Sequence, residues 1–292
     1  MSQPARVSIF KGGGLIALKV RDFRLYWSGL VAQVMGQHMY QFSLGWLSFE
    51  ITGSQAQLGL IHLCAFVPQF SLTLIGGVLA DRIDPRRLIQ GAQTLSAISV
   101  ISIGLLALSG RVEIWHLAVG AFMFGLVNAV DEPGRASFFP RLLPKSHLSS
   151  GIPLISMAFG TSRMIAPSIA GFVIASVGAP PVFLLCALGM SVMISMLFLV
   201  RPAASSAGKH GSLLGNLADS LRYIRANEVF SRVIVAALLN ATFLMGYIHQ
   251  LPVFAKVVLD VDARGLGLLA SAAGLGRSEE YTSELQSRFG IS

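Results

Sequence analysis

Long apolar runs separated by short polar stretches organise this chain. Each run is near the ~20 residues that an α-helix needs to cross the ~30 Å apolar core of a bilayer. The runs lie at about residues 25–49, 55–79, 88–108, 114–131, 152–176, 182–200 and 233–255. This pattern predicts an all-α membrane protein with seven spans.

Composition supports the same class. Hydrophobic residues make up 53% of the chain and charged residues 12%, whereas soluble domains carry about 25% charge. The net charge of +8 does not indicate a nucleic-acid partner, because the Lys and Arg residues lie between apolar runs and not in one basic face. Cys64 and Cys186 fall inside apolar runs and are interpreted as packing residues, so no metal site, cofactor or catalytic residue is predicted.

The distribution of basic residues predicts the orientation. Sixteen Lys and Arg residues lie in the leader and in the connections after the second, fourth and sixth runs, against three on the other side. The connection after the fourth run contributes Arg135, Arg141 and Lys145 to this count. By the positive-inside rule the N-terminus is expected in the cytoplasm, in a bacterial-type inner membrane.

The runs divide the chain into five parts. We expect a cytoplasmic basic leader at 1–24, a six-helix transmembrane bundle at 25–200, a cytoplasmic linker at 201–232 and the start of a second bundle at 233–276. In the linker, Leu213, Leu217 and Leu221 recur at helical spacing, which favours an interfacial amphipathic helix over a solvated linker.

The last part of the chain changes character abruptly. The apolar run from Gly265 to Gly276 would reach only about 18 Å as a helix, which cannot cross a bilayer. The polar stretch that follows resembles a translated sequencing adapter more than evolved protein. We therefore expect 277–292 to be a non-native tail on a chain truncated within its eighth helix.

A charged turn joins the second and third runs, Gly76-Gly-Val-Leu-Ala-Asp-Arg-Ile-Asp-Pro-Arg-Arg87. Gly76 and Gly77 would let the second helix approach a neighbour closely, and Asp84 with Pro85 predicts an N-cap and first turn for the third helix. The turn resembles the loop between helices 2 and 3 of the major facilitator superfamily of transporters. The residues that fit the superfamily pattern are Gly77, Asp81, Arg82, Arg86 and Arg87; Asp84 and Pro85 depart from it.

The resemblance implies a major facilitator fold with a complete first bundle. It also implies that Asp81 helps to latch the two halves of the transporter and to gate between inward-open and outward-open states. In the family, the partner in this latch lies near helix 11, which we expect to be missing from this chain.

A second stretch, Asn128 to Pro144, leaves the fourth run. Together with Arg163, Pro167 and Gly171 it resembles the drug-exporter and siderophore-exporter branch, typified by the enterobactin exporter, over about residues 20–270. Pro167 and Gly171 match part of the antiporter motif on the fifth helix, with Ala166 and Ala170 where glycines are usual.

Polar side chains inside the runs are the candidate cavity residues. Gln33, Gln37 and Gln41 recur every four residues and so share one face of the first helix. The resemblance adds Asn128 and Asn240, because helices 1, 4, 7 and 10 line the family's cavity. Interhelical hydrogen bonding is the structural alternative, and His38 and His62 are interpreted as packing residues.

Two charges inside the runs are functional candidates, since such charges are costly in a bilayer. Arg163 is expected to pair with Asp131 or with the polar face of the first helix, and a purely structural ion pair is an equal alternative. Asp131 and His38 are both candidates for carrying a coupling proton.

These features predict a secondary active exporter of an amphipathic small molecule, a drug or a siderophore, working by alternating access. Its partners would be the lipid bilayer, the substrate and, as a candidate coupling ion, the proton. A membrane-embedded enzyme is disfavoured, because the chain has no His-Glu-x-x-His, Gly-x-Ser-x-Gly or Walker sequence. An inactive half-transporter is the remaining alternative.

Overall fold

The computed structural model describes residues 16–201, 227–239 and 246–289, and every regular element in these ranges is helical. The α-helices are α1 (Ile16–Lys19), α2 (Arg21–Thr52), α3 (Gln55–Arg82), α4 (Pro85–Leu108), α5 (Ile114–Phe138), α6 (Leu148–Val177), α7 (Pro180–Leu199), α8 (Glu228–Leu239), α9 (Gly246–Val253) and α10 (Ala263–Phe289). Short 3₁₀ turns at Phe139–Arg141 and Lys145–His147 join α5 to α6, and a π-helical turn at Phe254–Val258 follows α9.

Within the described ranges, five stretches are long and apolar enough to cross a membrane. They are Gln55–Arg82, Pro85–Leu108, Ile114–Arg141, Lys145–Val177 and Pro180–Leu199. Helix α2 has 32 residues and is long enough to cross, but its glutamines and histidine interrupt its apolar character and it is not among the five. The predicted linker helix at 201–232 lies almost entirely outside the described residues.

Several helix boundaries differ from the sequence prediction, three of them in α2, α5 and α10. Helix α2 begins at Arg21 and takes in the end of the expected leader. Helix α5 continues past Asp131, through Pro133, to Phe138. Helix α10 does not stop at Gly276 but runs for 27 residues to Phe289. The second difference matters most, because it places residues expected in a loop inside the bundle.

The ends of α3 and α4 follow local sequence rules. Ser54 caps α3 by accepting a hydrogen bond from the Gln57 amide, and Asp84 caps α4 by accepting one from the Arg86 amide at 3.1 Å. Pro85 takes the first position of α4, where its missing N–H costs nothing. Only two residues therefore separate α3 from α4, as the predicted cap and first turn required.

The bundle has two ends that differ in charge. The indole of Trp27 near the start of α2 donates to the Leu154 carbonyl near the start of α6 at 2.9 Å. The start of α4 likewise meets the end of α7, where an Arg86 amine donates to the Phe198 carbonyl at 3.0 Å. We call this end the basic side, since it also carries Arg141, and the other end the opposite side.

Glycines allow α2 and α7 to touch backbone to backbone. A Cβ added to Gly36 would lie 2.9 Å from the Cys186 carbonyl oxygen, and one added to Gly189 would overlap the Ala32 carbonyl. One turn further along, a Cβ on Gly29 would lie 2.9 Å from the sulfur of Met193. Helices in lipid are not held together by the hydrophobic effect, so the close van der Waals packing that small residues allow stabilises such crossings.

Prolines and glycines act together at two other crossings. A proline in a helix leaves the carbonyl four residues earlier without its N–H donor. Pro133 in α5 thereby frees the Ala129 carbonyl. Gly76 of α3 packs against this carbonyl so closely that a Cβ added to Gly76 would overlap it. Pro167 in α6 frees the Arg163 carbonyl, which Gly274 of α10 faces. Gly77, by contrast, faces open space, so the predicted close approach holds for Gly76 alone.

Candidate functional site

A buried polar cluster joins α2 to α5 toward the basic side. The side chain of Asp131 is fully buried, and one of its oxygens, Oδ2, accepts from Gln33 Nε2 at 3.0 Å and lies 3.2 Å from Arg135 Nε. Gln33 and Arg135 are only 2% and 7% exposed. Asp131 and Arg135 stand one helical turn apart on α5 and so lie on the same face. We refer to Gln33, Asp131 and Arg135 as the carboxylate cluster.

The next polar contact lies one turn toward the opposite side. Gln37 Nε2 donates to Asn128 Oδ1 at 3.2 Å. The glutamine face of α2 becomes more exposed along its length, from buried Gln33 through half-buried Gln37 to exposed Gln41. Three of the five predicted cavity residues thus make interhelical hydrogen bonds, Gln33 to Asp131 and Gln37 to Asn128. Gln41 makes neither of these contacts, and Asn240 lies outside the described residues.

The carboxylate cluster has hydrogen-bonding capacity left over. In the described part of the chain, Asp131 Oδ1, Gln33 Oε1 and one Arg135 amine have no hydrogen-bond partner. Buried polar groups are normally satisfied, and those that are not call for an explanation such as a ligand, water or proton. The cluster therefore has free donors and acceptors for a further polar group.

The expected pairing of Arg163 with Asp131 is wrong. Asp131 pairs instead with Arg135, which lies on its own helix at the preferred spacing. Arg163 has an exposed side chain and no carboxylate within ion-pairing distance in the described ranges.

The gating residues occupy the charged turn on the basic side. The side chains of Asp81, Arg82 and Arg87 are exposed. Arg86 is half-buried and donates to the Phe198 carbonyl at the end of α7, where a cation also complements the helix dipole. The turn is thus fastened inside the first bundle by Arg86, while the latch role of Asp81 stays a prediction.

Pro167 and Gly171 lie on the face of α6 that packs against α10. A Cβ on Gly171 would overlap the Ala263 carbonyl, and one on Gly267 would lie 2.6 Å from the Pro167 carbonyl oxygen. The hydroxyl groups of Ser168 and Ser271 are 2.7 Å apart across the same contact. The two motif residues on α6 therefore mark where the first bundle meets the next helices of the chain.

Histidines also meet at the junction between these two parts of the chain. The ring centroids of His62 on α3 and His249 on α9 lie 4.2 Å apart. Nearby, Lys256 in the π-helical turn lies over the ring of Trp46 at 5.4 Å. Both contacts hold α9 and its π-helical turn against α2 and α3, which agrees with the interpretation of His62 as a packing residue.

A cavity adjoins the carboxylate cluster on the basic side. Its volume is about 350 Å³, and α2, α5 and α6 contribute to its walls. Arg135 and Glu132 are its charged lining residues, and sequence reasoning assigned neither of them to the site. Pro133 suggested that the fourth helix had ended, although membrane helices tolerate proline. The four-residue spacing of Asp131 and Arg135 was the signal that could have found the pair.

An apolar helical bundle with charged and amide groups buried between its helices is typical of a multi-pass membrane protein with a functional polar site. The family model described as transmembrane secretion effector, within the major facilitator superfamily, matches residues 13–290. The chain belongs to this family, which is one of transporters and not of enzymes. It is a multi-pass integral membrane protein.

Characterised relatives are similar over parts of their length. The staphyloferrin A transporter of Staphylococcus aureus is 22% identical over 254 residues, which cover 87% of this chain and 64% of the relative. The multidrug efflux pump Tap of Mycolicibacterium fortuitum is 28% identical over 46% of this chain and 34% of its own length. The macrolide efflux protein A of Streptococcus pyogenes is 22% identical over 51% and 36%. The chain thus spans less than two thirds of each of these relatives.

The family match bears on the expected tail. It extends to residue 290 and so includes most of 277–292, and α10 passes through Gly276 without a break. Neither observation supports a boundary at Gly276, and the non-native origin of the tail stays a prediction.

Proposed function

We propose that this chain acts in secondary active export of an amphipathic small molecule by alternating access. The observation that carries the proposal is the carboxylate cluster buried between α2 and α5. A charged residue inside a membrane protein is expensive to keep and usually marks a substrate, ion or proton path. The names of the relatives, a siderophore transporter and two efflux proteins, favour the same general activity.

Asp131 is the residue we propose to carry the coupling proton. With its carboxylate charged, Asp131 holds Arg135 at 3.2 Å and accepts from Gln33. A proton on Oδ1, which has no partner in the described structure, would weaken both contacts and loosen α2 from α5. Loss of that proton to the other side of the membrane would restore them. Proton movement would thereby drive the change between the two access states.

The contact between α6 and α10 supplies the moving boundary in this proposal. The backbones of α6 and α10 are in close contact at Gly171 and Gly267. One bundle can therefore rotate against the other without separating large interdigitated side chains. Asp81, exposed on the charged turn, is proposed to latch the basic side when that side closes. We propose that the basic side, and with it the N-terminus, faces the cytoplasm of a bacterial cell, because Lys and Arg are in excess on that side.

A transport assay tests the proposal directly. The purified chain is reconstituted into liposomes, a pH gradient is imposed, and the movement of the amphipathic dyes ethidium and fluorescein is followed. We expect gradient-driven movement of at least one dye, and we expect Asp131→Asn to slow it at least about tenfold while leaving dye binding in place.

Asp260→Asn is the matched control. It removes an exposed carboxylate at a position with φ of 50°, where asparagine is well tolerated. The proposal fails if the wild-type chain moves neither dye under a gradient, which is the result expected of an inactive half-transporter. The role of Asp131 fails if Asp131→Asn transports as fast as the Asp260→Asn control.

A further inference from the structure

The cavity beside the carboxylate cluster has the chemistry of a ligand site. Its volume of about 350 Å³ falls in the range of small-molecule pockets. Aromatic and aliphatic side chains form most of its wall: Tyr26 and Leu30 from α2, Phe139 beyond the end of α5, and Ile152, Ile155 and Phe159 from α6. Such a wall favours the apolar body of an amphipathic molecule over a small polar solute.

The electrostatics of this cavity depend on two lining residues. The positive charge of Arg135 is already neutralised by Asp131 at 3.2 Å, and its guanidinium also lies over the Phe159 ring at 5.4 Å. Glu132 has an exposed side chain, and no Lys or Arg lies within ion-pairing distance of its carboxylate in the described ranges. Of the two charged lining residues, Glu132 is therefore the one without an ion pair among the described residues, and it lies among aromatic rings.

We infer that this cavity binds a monovalent amphipathic cation, with the cationic group beside Glu132 and the apolar body against Phe139, Ile155 and Phe159. Aromatic faces bind both cationic groups and apolar surface, so these rings can contact both the charged and the apolar part of such a ligand. An anion would be repelled by the carboxylate of Glu132, and the guanidinium of Arg135 that could bind it is already paired with Asp131. The amine of Arg135 without a partner can still donate to an oxygen of the ligand.

This inference rests on the proposed function, because the cavity lies on the basic side, from which an exporter loads its substrate. It goes beyond that function in assigning the sign of the charge and the residue that selects it. The names of the relatives do not decide this point, since they cover a siderophore, macrolides and multiple drugs.

Two ions of matched size and opposite charge provide the test. Binding of tetraphenylphosphonium and of tetraphenylborate to the purified full chain in nanodiscs is measured by equilibrium dialysis, with empty nanodiscs subtracted. We expect tetraphenylphosphonium to bind more tightly. Glu132→Gln should weaken its binding about tenfold, Glu132→Asp should retain affinity within about threefold, and Glu50→Gln, an exposed carboxylate on the opposite side, should change nothing.

The inference is overturned if tetraphenylborate binds as tightly as tetraphenylphosphonium, or if Glu132→Gln and Glu50→Gln behave alike. Because binding is measured without a gradient, its outcome is separate from that of the transport assay. Charge-selective binding that depends on Glu132, in a chain that transports no dye, would leave the binding site standing and remove the proposed function. Transport that persists in Glu132→Gln with unchanged binding would remove this inference alone.

Discussion

The pairing of Asp131 with Arg135 makes a quantitative prediction about stability. Their side chains are 0% and 8% exposed and 3.2 Å apart. Truncating one partner of a buried ion pair leaves the other charge uncompensated, which costs on the order of 3–5 kcal/mol. In Asp131→Ala, the Arg135 guanidinium would keep only its contact with the Phe159 ring. In Arg135→Ala, Asp131 would keep only the amide of Gln33.

The double variant should be less damaged than the two single variants suggest. Removing both side chains leaves no buried charge, so we expect a favourable coupling of about 2–3 kcal/mol in a double-mutant cycle. Each single variant should lower the melting temperature by roughly 6–20 °C, taking about 3–5 kcal/mol for the loss and about 2–4 °C per kcal/mol for a chain of this size. The decrease in melting temperature of the double variant should therefore be clearly smaller than the sum of the decreases in the two single variants.

The chain contains its own reporter for this measurement. Cys186 is fully buried where α7 meets α2, while Cys64 is partly exposed. In a Cys64→Ala background, labelling of Cys186 by a thiol-reactive fluorophore during heating in detergent reports the loss of this packing. Purely additive losses in the double variant would show that the two side chains are not coupled, and would refute the carboxylate cluster as described.

Two further predictions use the same thermal assay, each with a matched control. Gly36→Ala places a Cβ 2.9 Å from a carbonyl oxygen of α7 and should cost about 1–3 kcal/mol by overpacking, whereas Gly59→Ala, with nothing within 4 Å, should be neutral or stabilising by up to about 1 kcal/mol. Arg86→Ala removes a hydrogen bond to the last turn of α7 and should cost about 0.3–1 kcal/mol, while Arg87→Ala at an exposed position should leave the melting temperature unchanged. Equal melting temperatures within either pair would contradict the contact assigned to it.

Hydropathy was a reliable guide to the helices and a poor guide to where α5 ends. The starts of α3 and α5 agree with the apolar runs, because each follows a polar connection with a clear capping residue. The end of α5 was misplaced because Asp131, Glu132 and Pro133 look like a turn in a linear pattern. In the folded bundle the carboxylate of Asp131 is paired, so the helix continues through it.

The glutamine face of α2 was partly predictable for the same reason. Four-residue spacing correctly placed Gln33 and Gln37 on one face, and the partners Asp131 and Asn128 were both singled out as intramembrane polar residues. Which amide meets which partner was not predictable, since that depends on the axial offset between α2 and α5. The same gap explains why Asp131 was wrongly offered as one of the two candidate partners of Arg163.

The sequence by itself determined that this chain is a membrane protein of several helices, where most of those helices lie, and the family to which it is similar, because these follow from composition, periodicity and local motifs. Only the tertiary structure decided that Gln33 meets Asp131, that Glu132 lines an aromatic cavity, and that Gly171 packs against α10. Each of these depends on the distance between helices far apart in sequence. Local patterns carry no information on that distance, which is set by how closely small residues allow the backbones to pack.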